Sequence, residues 1–129
     1  MPFPLPLSPV ANEYVSMVFD RGIIKAEYTV AHIDHQIAEI CIQFRLDNTP
    51  EEPLPILIDL RNLRTISKQA RDLLASPRAY EKVAACALIT NNMVTRLIAR
   101  FFVHFSRPPA PTRLFGNKEK AEEWLRSLG

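Results

Sequence analysis

The sequence predicts an α/β fold: a mixed five-stranded sheet with an N-terminal hairpin, parallel central strands and about four covering helices, in the order ββαβαβαβα. Three observations carry this. Leu54-Pro-Ile-Leu-Ile-Asp59 and Ala84-Ala-Cys-Ala-Leu-Ile-Thr90 are too short for helices and apolar on both sides, as interior strands covered on both faces are. Each is followed by helical periodicity, and alternating strands and helices give parallel strands joined by right-handed crossovers. Ahead of them, two alternating segments flank Asp20-Arg21-Gly22, a hairpin closed by a Gly turn.

Composition sets the outer bounds. A chain of 129 residues with 47% hydrophobic and 23% charged residues builds one core of ordinary size. A net charge of +2 gives no electrostatic footprint for nucleic acid, so no nucleic-acid partner is expected. Cys41 and Cys86 fall within apolar segments and form no C-x-x-C pair, which suits buried thiols in a reducing compartment. The N-terminus lacks a positive leader, and no uncharged run approaches the roughly 20 apolar residues of a membrane span. A cytoplasmic protein with no membrane span is therefore expected.

The elements follow in order. Residues 1–12 form a Pro-rich extended arm, with prolines at 2, 4, 6 and 9 holding the intervening residues extended; Phe3, Leu5 and Leu7 could dock on a neighbouring subunit or a sheet edge. Residues 13–129 form a single domain. From Glu13 to Asp20, Val15, Met17 and Phe19 share one side. After the turn, Ile24, Ala26 and Tyr28 oppose the wetter Lys25 and Glu27. Thr29 is the expected N-cap of a helix carrying Ile33, Ile37, Ile40, Cys41 and Phe44 inward. Asp47 to Pro53 is a turn-rich linker into the Leu54 strand.

Ser67 then caps a helix with Ala70, Leu73 and Leu74 inward. Ser76-Pro77 breaks it and starts a further turn or two through Tyr80 and Val83. Asn91-Asn92 caps a helix in which Val94, Leu97, Ile98, Phe101, Phe102 and Phe105 recur at core-facing spacing, leaving Arg96 and Arg100 outward. Thr112-Arg-Leu-Phe115 is a short final strand. Gly116-Asn117 opens a helix with Ala121, Trp124, Leu125 and Leu128 inward and Lys118, Glu119, Lys120, Glu122 and Glu123 outward.

Ile56-Leu-Ile-Asp-Leu-Arg-Asn-Leu-Arg-Thr-Ile-Ser67, Ala70-Arg71, Cys86-Ala-Leu-Ile89, Ala99-Arg-Phe-Phe102 and Pro111-Thr-Arg-Leu-Phe-Gly-Asn-Lys-Glu-Lys-Ala-Glu-Glu-Trp-Leu125 stand in the order found in the STAS domain family. From about Glu13 onward the chain resembles the SpoIIAA-like branch of small stand-alone bacterial proteins. The ending, a "P-T-R-L-F" strand and a capped "A-x-x-W-L" helix, is its most specific feature. The resemblance implies a STAS/SpoIIAA-like fold and a non-catalytic regulatory or protein-interaction module. In the antagonist proteins of this family a serine at the start of the helix after the central strand is phosphorylated. That position falls on Lys68 here, so the resemblance implies a member without the phosphoserine switch.

The strongest local site is the start of the Ser67 helix. Arg61, Arg64, Lys68 and Arg71 flank it, Asp59 ends the preceding strand, and Asn91 and Asn92 follow the neighbouring strand. Free backbone N–H groups and arginine forks suit an anion or an acidic partner. Asp59 lacks a nucleophile, a Gly-rich phosphate loop or a second carboxylate beside it, so no catalytic residue is assigned and the chain reads as a non-enzyme. His32 and His35, with Asp34 between them, lack a third ligand nearby and His104 lies on another helix, so neither a metal nor a cofactor is expected. A second reading is a carrier or sensor of small molecules, with a pocket under the break at Ser76-Pro77 lined by Leu73, Leu74, Tyr80 and Phe102. A homodimer is also expected, from the arm and from the Tyr14 and Met17 hairpin with its exposed edge.

Overall fold

The computed structural model describes residues 9–128. Strands β1 (Val10–Ala11), β2 (Val15–Asp20) and β3 (Ile23–Tyr28) lead into a short strand β4 (His32–Ile33) and helix α1 (His35–Asp47). Then follow β5 (Leu54–Asp59), β6 (Thr65–Ile66), α2 (Lys68–Leu74) and β7 (Val83–Ile89). Helix α3 (Met93–Phe101) runs on into a π-helical turn, Phe102–Ser106, and β8 (Thr112–Phe115) and α4 (Lys118–Ser127) close the chain.

The main sheet has six strands in the order β1-β2-β3-β5-β7-β8. The first three are antiparallel and the last four, β3 to β8, are mutually parallel. This is the expected mixed sheet with its hairpin and parallel centre, widened by one strand. The extra strand comes from the stretch read as an arm: Val10 and Ala11 pair with Met17 and Ser16. The proposed docking of Phe3, Leu5 and Leu7 lies outside the described residues. The hairpin turn, Arg21-Gly22, has positive φ at both residues (52° and 83°), the mirror-image turn whose twist matches the strands it joins.

Both faces of the sheet are covered, as the two-sided apolar strands require. On one face α1, α2 and α3 pack over Met17, Ala26, Ile56, Cys86 and Leu88. On the other, α4 alone covers Ile23, Leu57, Ala85, Ala87 and Ile89 with Ala121 and Leu125. Lys25 on that second face reaches Asp20 at 2.7 Å and also pairs with Glu122, so Glu122 is tucked against the hairpin rather than outward, while Leu128 is exposed.

Three helix assignments need correction. Helix α1 is capped by Asp34, whose carboxylate accepts from Ile37 N at 2.9 Å, not by Thr29. The residues between are drawn away because His32 and Ile33 pair in parallel with Thr65 and Ile66, forming a small second sheet. Within α1, Ala38, Cys41, Ile42 and Arg45 are buried and Ile40 is exposed, so the inward stripe lies to one side of the expected one. Helix α3 departs furthest. Its buried residues are Thr95 and Ala99, with Phe102 following, whereas Val94, Leu97, Phe101 and Phe105 are exposed. Successive helical residues are about 100° apart, so the helix is turned by roughly one residue from the orientation its apolar stripe would choose.

Met17 is a core residue and β1 pairs with β2 beside it, so the hairpin does not present the self-association surface assigned to Met17. The break at Ser76-Pro77 is a run of turns, tied by Tyr80 N to Ser76 O at 3.2 Å, before β7 begins at Val83.

Candidate functional site

Of the eight residues of the sequence-derived site, Asp59 and Arg61 lie at the end of β5 and Asn91 and Asn92 follow β7, where Leu60 N donates to Ile89 O at 2.9 Å and holds the two strand ends together, while Arg64, Ser67, Lys68 and Arg71 lie on the following loop and α2. Most are occupied by one another. Asp59, 5% exposed, accepts from Arg61 N and Nε at 2.9 Å and from Nη2 at 2.6 Å. Burial pushes the Asp59 carboxyl up, but the hydrogen bonds from the Arg61 side chain and backbone outweigh it, and the group sits below the ordinary aspartate value. Lys118, at the start of α4, adds to the lowering.

Arg64 donates from Nη1 to the carbonyls of Arg61 and Leu63, both at 3.1 Å, and so braces its own loop. Ser67 Oγ accepts from Ala70 N at 3.1 Å and caps α2, while Lys68 pairs with Asp72 one turn on. Asn92 accepts from Thr95 N at 3.0 Å and caps α3; Asn91 accepts from the Asn92 amide at 2.9 Å. Arg71 is different: its guanidinium lies 4.1 Å above the Phe101 ring, and its Nε is buried with no partner among the described residues. Chemically the rim is a set of satisfied caps and two ion pairs, Asp59–Arg61 and the exposed Lys68–Asp72, with Arg71 over Phe101 at the surface beyond it.

That surface is α3. Met93, Val94, Leu97 (59% exposed), Phe101 and Phe105 (71% exposed) form a contiguous series along its outer side, and the rings of Phe101 and Phe105 stack at 4.4 Å. The π-helical turn carries Phe105, and Arg107 ends it in the left-handed region (φ 51°) before two prolines. Single exposed apolar residues are ordinary; a joined apolar patch marks a place where something docks. Arg96 and Arg100 stand outward on the same helix, as the spacing predicts. The sequence held a further signal for this surface: between Glu81 and Glu119 there is no acidic residue, but Lys82, Arg96, Arg100, Arg107, Arg113 and Lys118 are basic.

Beneath α3 lies a cavity of about 90 Å³ on the helix-rich face of the sheet, floored by Ile56 and Leu88 and walled by Leu74, Tyr80 and Phe102. The pocket expected under the Ser76-Pro77 break is therefore present, with Leu74, Tyr80 and Phe102 in its wall; Leu73 packs nearby without lining it. Tyr80 OH meets Thr112 Oγ1 at 2.7 Å. Cys41 and Cys86 are free thiols in the same wall, pushed up by burial to about 11 and about 12 respectively, and are neutral and unreactive at pH 7. Arg45 also lines the cavity, and sequence reasoning missed it. The available clue was its position, four residues after Cys41 and seven after Ala38, on the stripe that proved to be buried.

His32 Nδ1 lies 2.6 Å from Thr65 Oγ1, and among the described residues no group of three His, Cys, Asp or Glu side chains is placed to hold a metal ion. No helix among them is long and apolar enough to cross a membrane.

Comparison with curated proteins gives no significant match. Among solved structures, the chain is similar to an uncharacterized protein of the DUF3478 family with a SpoIIAA-like fold from Shewanella loihica PV-4. The two share 19% identity at a TM-score of 0.61, over 90% of this chain and 98% of that one. It is similar also to an anti-sigma factor antagonist from Mycobacterium paratuberculosis, at 15% identity and a TM-score of 0.59, over 90% and 97% of the two chains. The fold is thus the STAS/SpoIIAA-like one. A family profile described as a domain of unknown function (DUF7793) covers residues 17–129, and the chain belongs to that family.

Proposed function

We propose that this protein is a non-catalytic STAS-like interaction module that binds an acidic, apolar segment of a protein partner through the outer side of α3. The observation that carries this is the apolar series Met93, Val94, Leu97, Phe101 and Phe105, turned to solvent on a helix whose surroundings in sequence are basic and free of acids. An apolar patch supplies most of the binding energy, and the arginines around it steer and select a partner carrying carboxylates. Two copies packed face to face through this helix would bring Arg96 and Arg100 against their like, which favours a different chain as the occupant. The likeness to an anti-sigma factor antagonist supports an interaction role in general terms only. The resemblance read from the sequence puts Lys68 at the position of the phosphorylated serine of the antagonist proteins, which supports a module without that phosphate switch.

A photo-crosslinking residue in place of Leu97, expressed in the native cells, tests this. The expected adduct is a single acid-rich protein, lost when Phe105→Asp is added and weakened by salt. Adducts only with lipid, or only with this chain itself, would overturn the reading.

A further inference from the structure

The cavity under α3 is lined by a charge that forms no ion pair among the described residues. Arg45, on α1, is only 8% exposed. Its Nη2 donates to Ala79 O at 2.8 Å, while Nη1 is buried with no partner among the described residues. Among the described residues neither Arg45 nor Arg71 forms a salt bridge. Arg71 has an outlet, since it is half-buried and lies over the exposed Phe101. Arg45 has none. Tyr28, Cys86, Glu81 and Tyr80 are the titratable groups close enough to act on it. Burial holds Tyr28, Tyr80 and Cys86 in their neutral forms, and Glu81 is exposed. Arginine does not shed its proton in a protein, so the site holds a full positive charge in apolar surroundings. That arrangement is costly unless an anion completes it.

We infer that the cavity is a binding site for a small monocarboxylic acid, with the carboxylate seated on the Arg45 guanidinium and a short apolar body lying over Ile56 and Leu88. Arg45 Nη1 has no acceptor among the described residues, and a carboxylate matches a guanidinium better than a point charge does. Size bounds the body. A cavity of about 90 Å³ is smaller than the engineered cavity of about 150 Å³ that holds benzene, so the body is about four or five carbons. The polar groups in the wall are too few to give each of several waters its two to four partners, which favours an apolar occupant.

Pentanoate, 1-pentanol and pentylamine, titrated separately into the full-length protein and followed by amide chemical shifts, test the inference. Pentanoate is expected to bind saturably, shifting resonances at Arg45, Ala79 and Cys86, at least tenfold more tightly than pentanol, with no binding of pentylamine. Arg45→Met fills similar space without charge and should reduce pentanoate to the level of pentanol; Arg45→Lys should fall between. Pentanol binding as tightly as pentanoate, undiminished pentanoate binding in Arg45→Met, or no binding of pentanoate would each overturn it. The acid-to-alcohol comparison is made on the wild-type chain and does not depend on either variant folding.

Discussion

Helices α3 and α4 start from similar sequence logic and end in opposite situations. Each is capped by an asparagine: Asn92 Oδ1 accepts from Thr95 N at 3.0 Å, and Asn117 Oδ1 from Lys120 N at 2.9 Å. Each carries an apolar stripe at helical spacing. In α4 the stripe is spent on the fold. Ala121 and Leu125 are buried against Leu57, Ala85 and Ala87, and Trp124 packs on Phe115 with ring centres 5.6 Å apart. In α3 the small residues Thr95 and Ala99 are buried beside a half-buried Ile98, while Met93, Val94, Leu97 and Phe101 face out. A helix that buries alanine and threonine while exposing leucine and phenylalanine forgoes stability that the reverse orientation would have supplied. That pattern separates the structural helix of this domain from the helix proposed for binding.

The largest expected effect tests the contrast directly. Leu125→Ala in α4 should cost about 3 kcal/mol, because it leaves a hole under a helix that covers its face alone. Leu97→Ala in α3 should stay within about 0.5 kcal/mol, since the side chain is mostly in water. Urea midpoints of the two variants measure both, and equal losses would break the comparison. Next in size is Thr95→Leu, which forces extra volume into a fully buried position of α3 that does not line the cavity and should cost about 1–3 kcal/mol, whereas Val94→Leu on the same helix should cost almost nothing. A tolerated leucine at 95 would mean that α3 can turn its stripe inward.

The rim under α4 sharpens the contrast electrostatically, because Asp59 is closed by Arg61 there while the arginines beside α3 are not so paired. Asp59 has its carboxyl held below the ordinary value in the folded state, so its contribution is complete above the usual aspartate range and disappears as pH falls through the depressed value. Asp59→Asn should therefore destabilise by about 1–2 kcal/mol at pH 7, and the deficit should shrink as the wild-type protein is acidified. A deficit of constant size down to pH 2 would show that the ion pair is not its source. Ser67→Ala and Asn92→Ala each remove a cap and should lower stability by about 1 kcal/mol without changing the fold, readable as a small drop in melting temperature. The smallest effect is at Lys68. Lys68→Glu breaks only an exposed pair with Asp72, so stability should move by less than about 0.5 kcal/mol, while attraction for an acidic partner falls. Unchanged affinity for a partner identified by crosslinking would remove Lys68 from the binding surface.

The sequence by itself determined the five strands of the main sheet from the hairpin to β8 and their connectivity. The runs Leu54 to Asp59 and Ala84 to Thr90 could be satisfied only by burial on both faces, and the alternation around Arg21-Gly22 allows one register of the hairpin. It also determined the caps at Ser67, Asn92 and Asn117, because capping is a contact between a side chain and backbone three residues away and needs no partner from elsewhere. The tertiary structure alone decided what depends on neighbours remote in the chain. Pairing of β4 with β6 moved the start of α1 from Thr29 to Asp34. Burial of Thr95 and Ala99 leaves the stripe of α3 turned outward, and the buried side of α1 carries Arg45 into an apolar cavity. Periodicity gives the presence of an apolar stripe, but which side of a helix is buried depends on which residues the adjoining surfaces have room for. In this protein both candidate binding features, the outer side of α3 and the Arg45 cavity, arise from that choice.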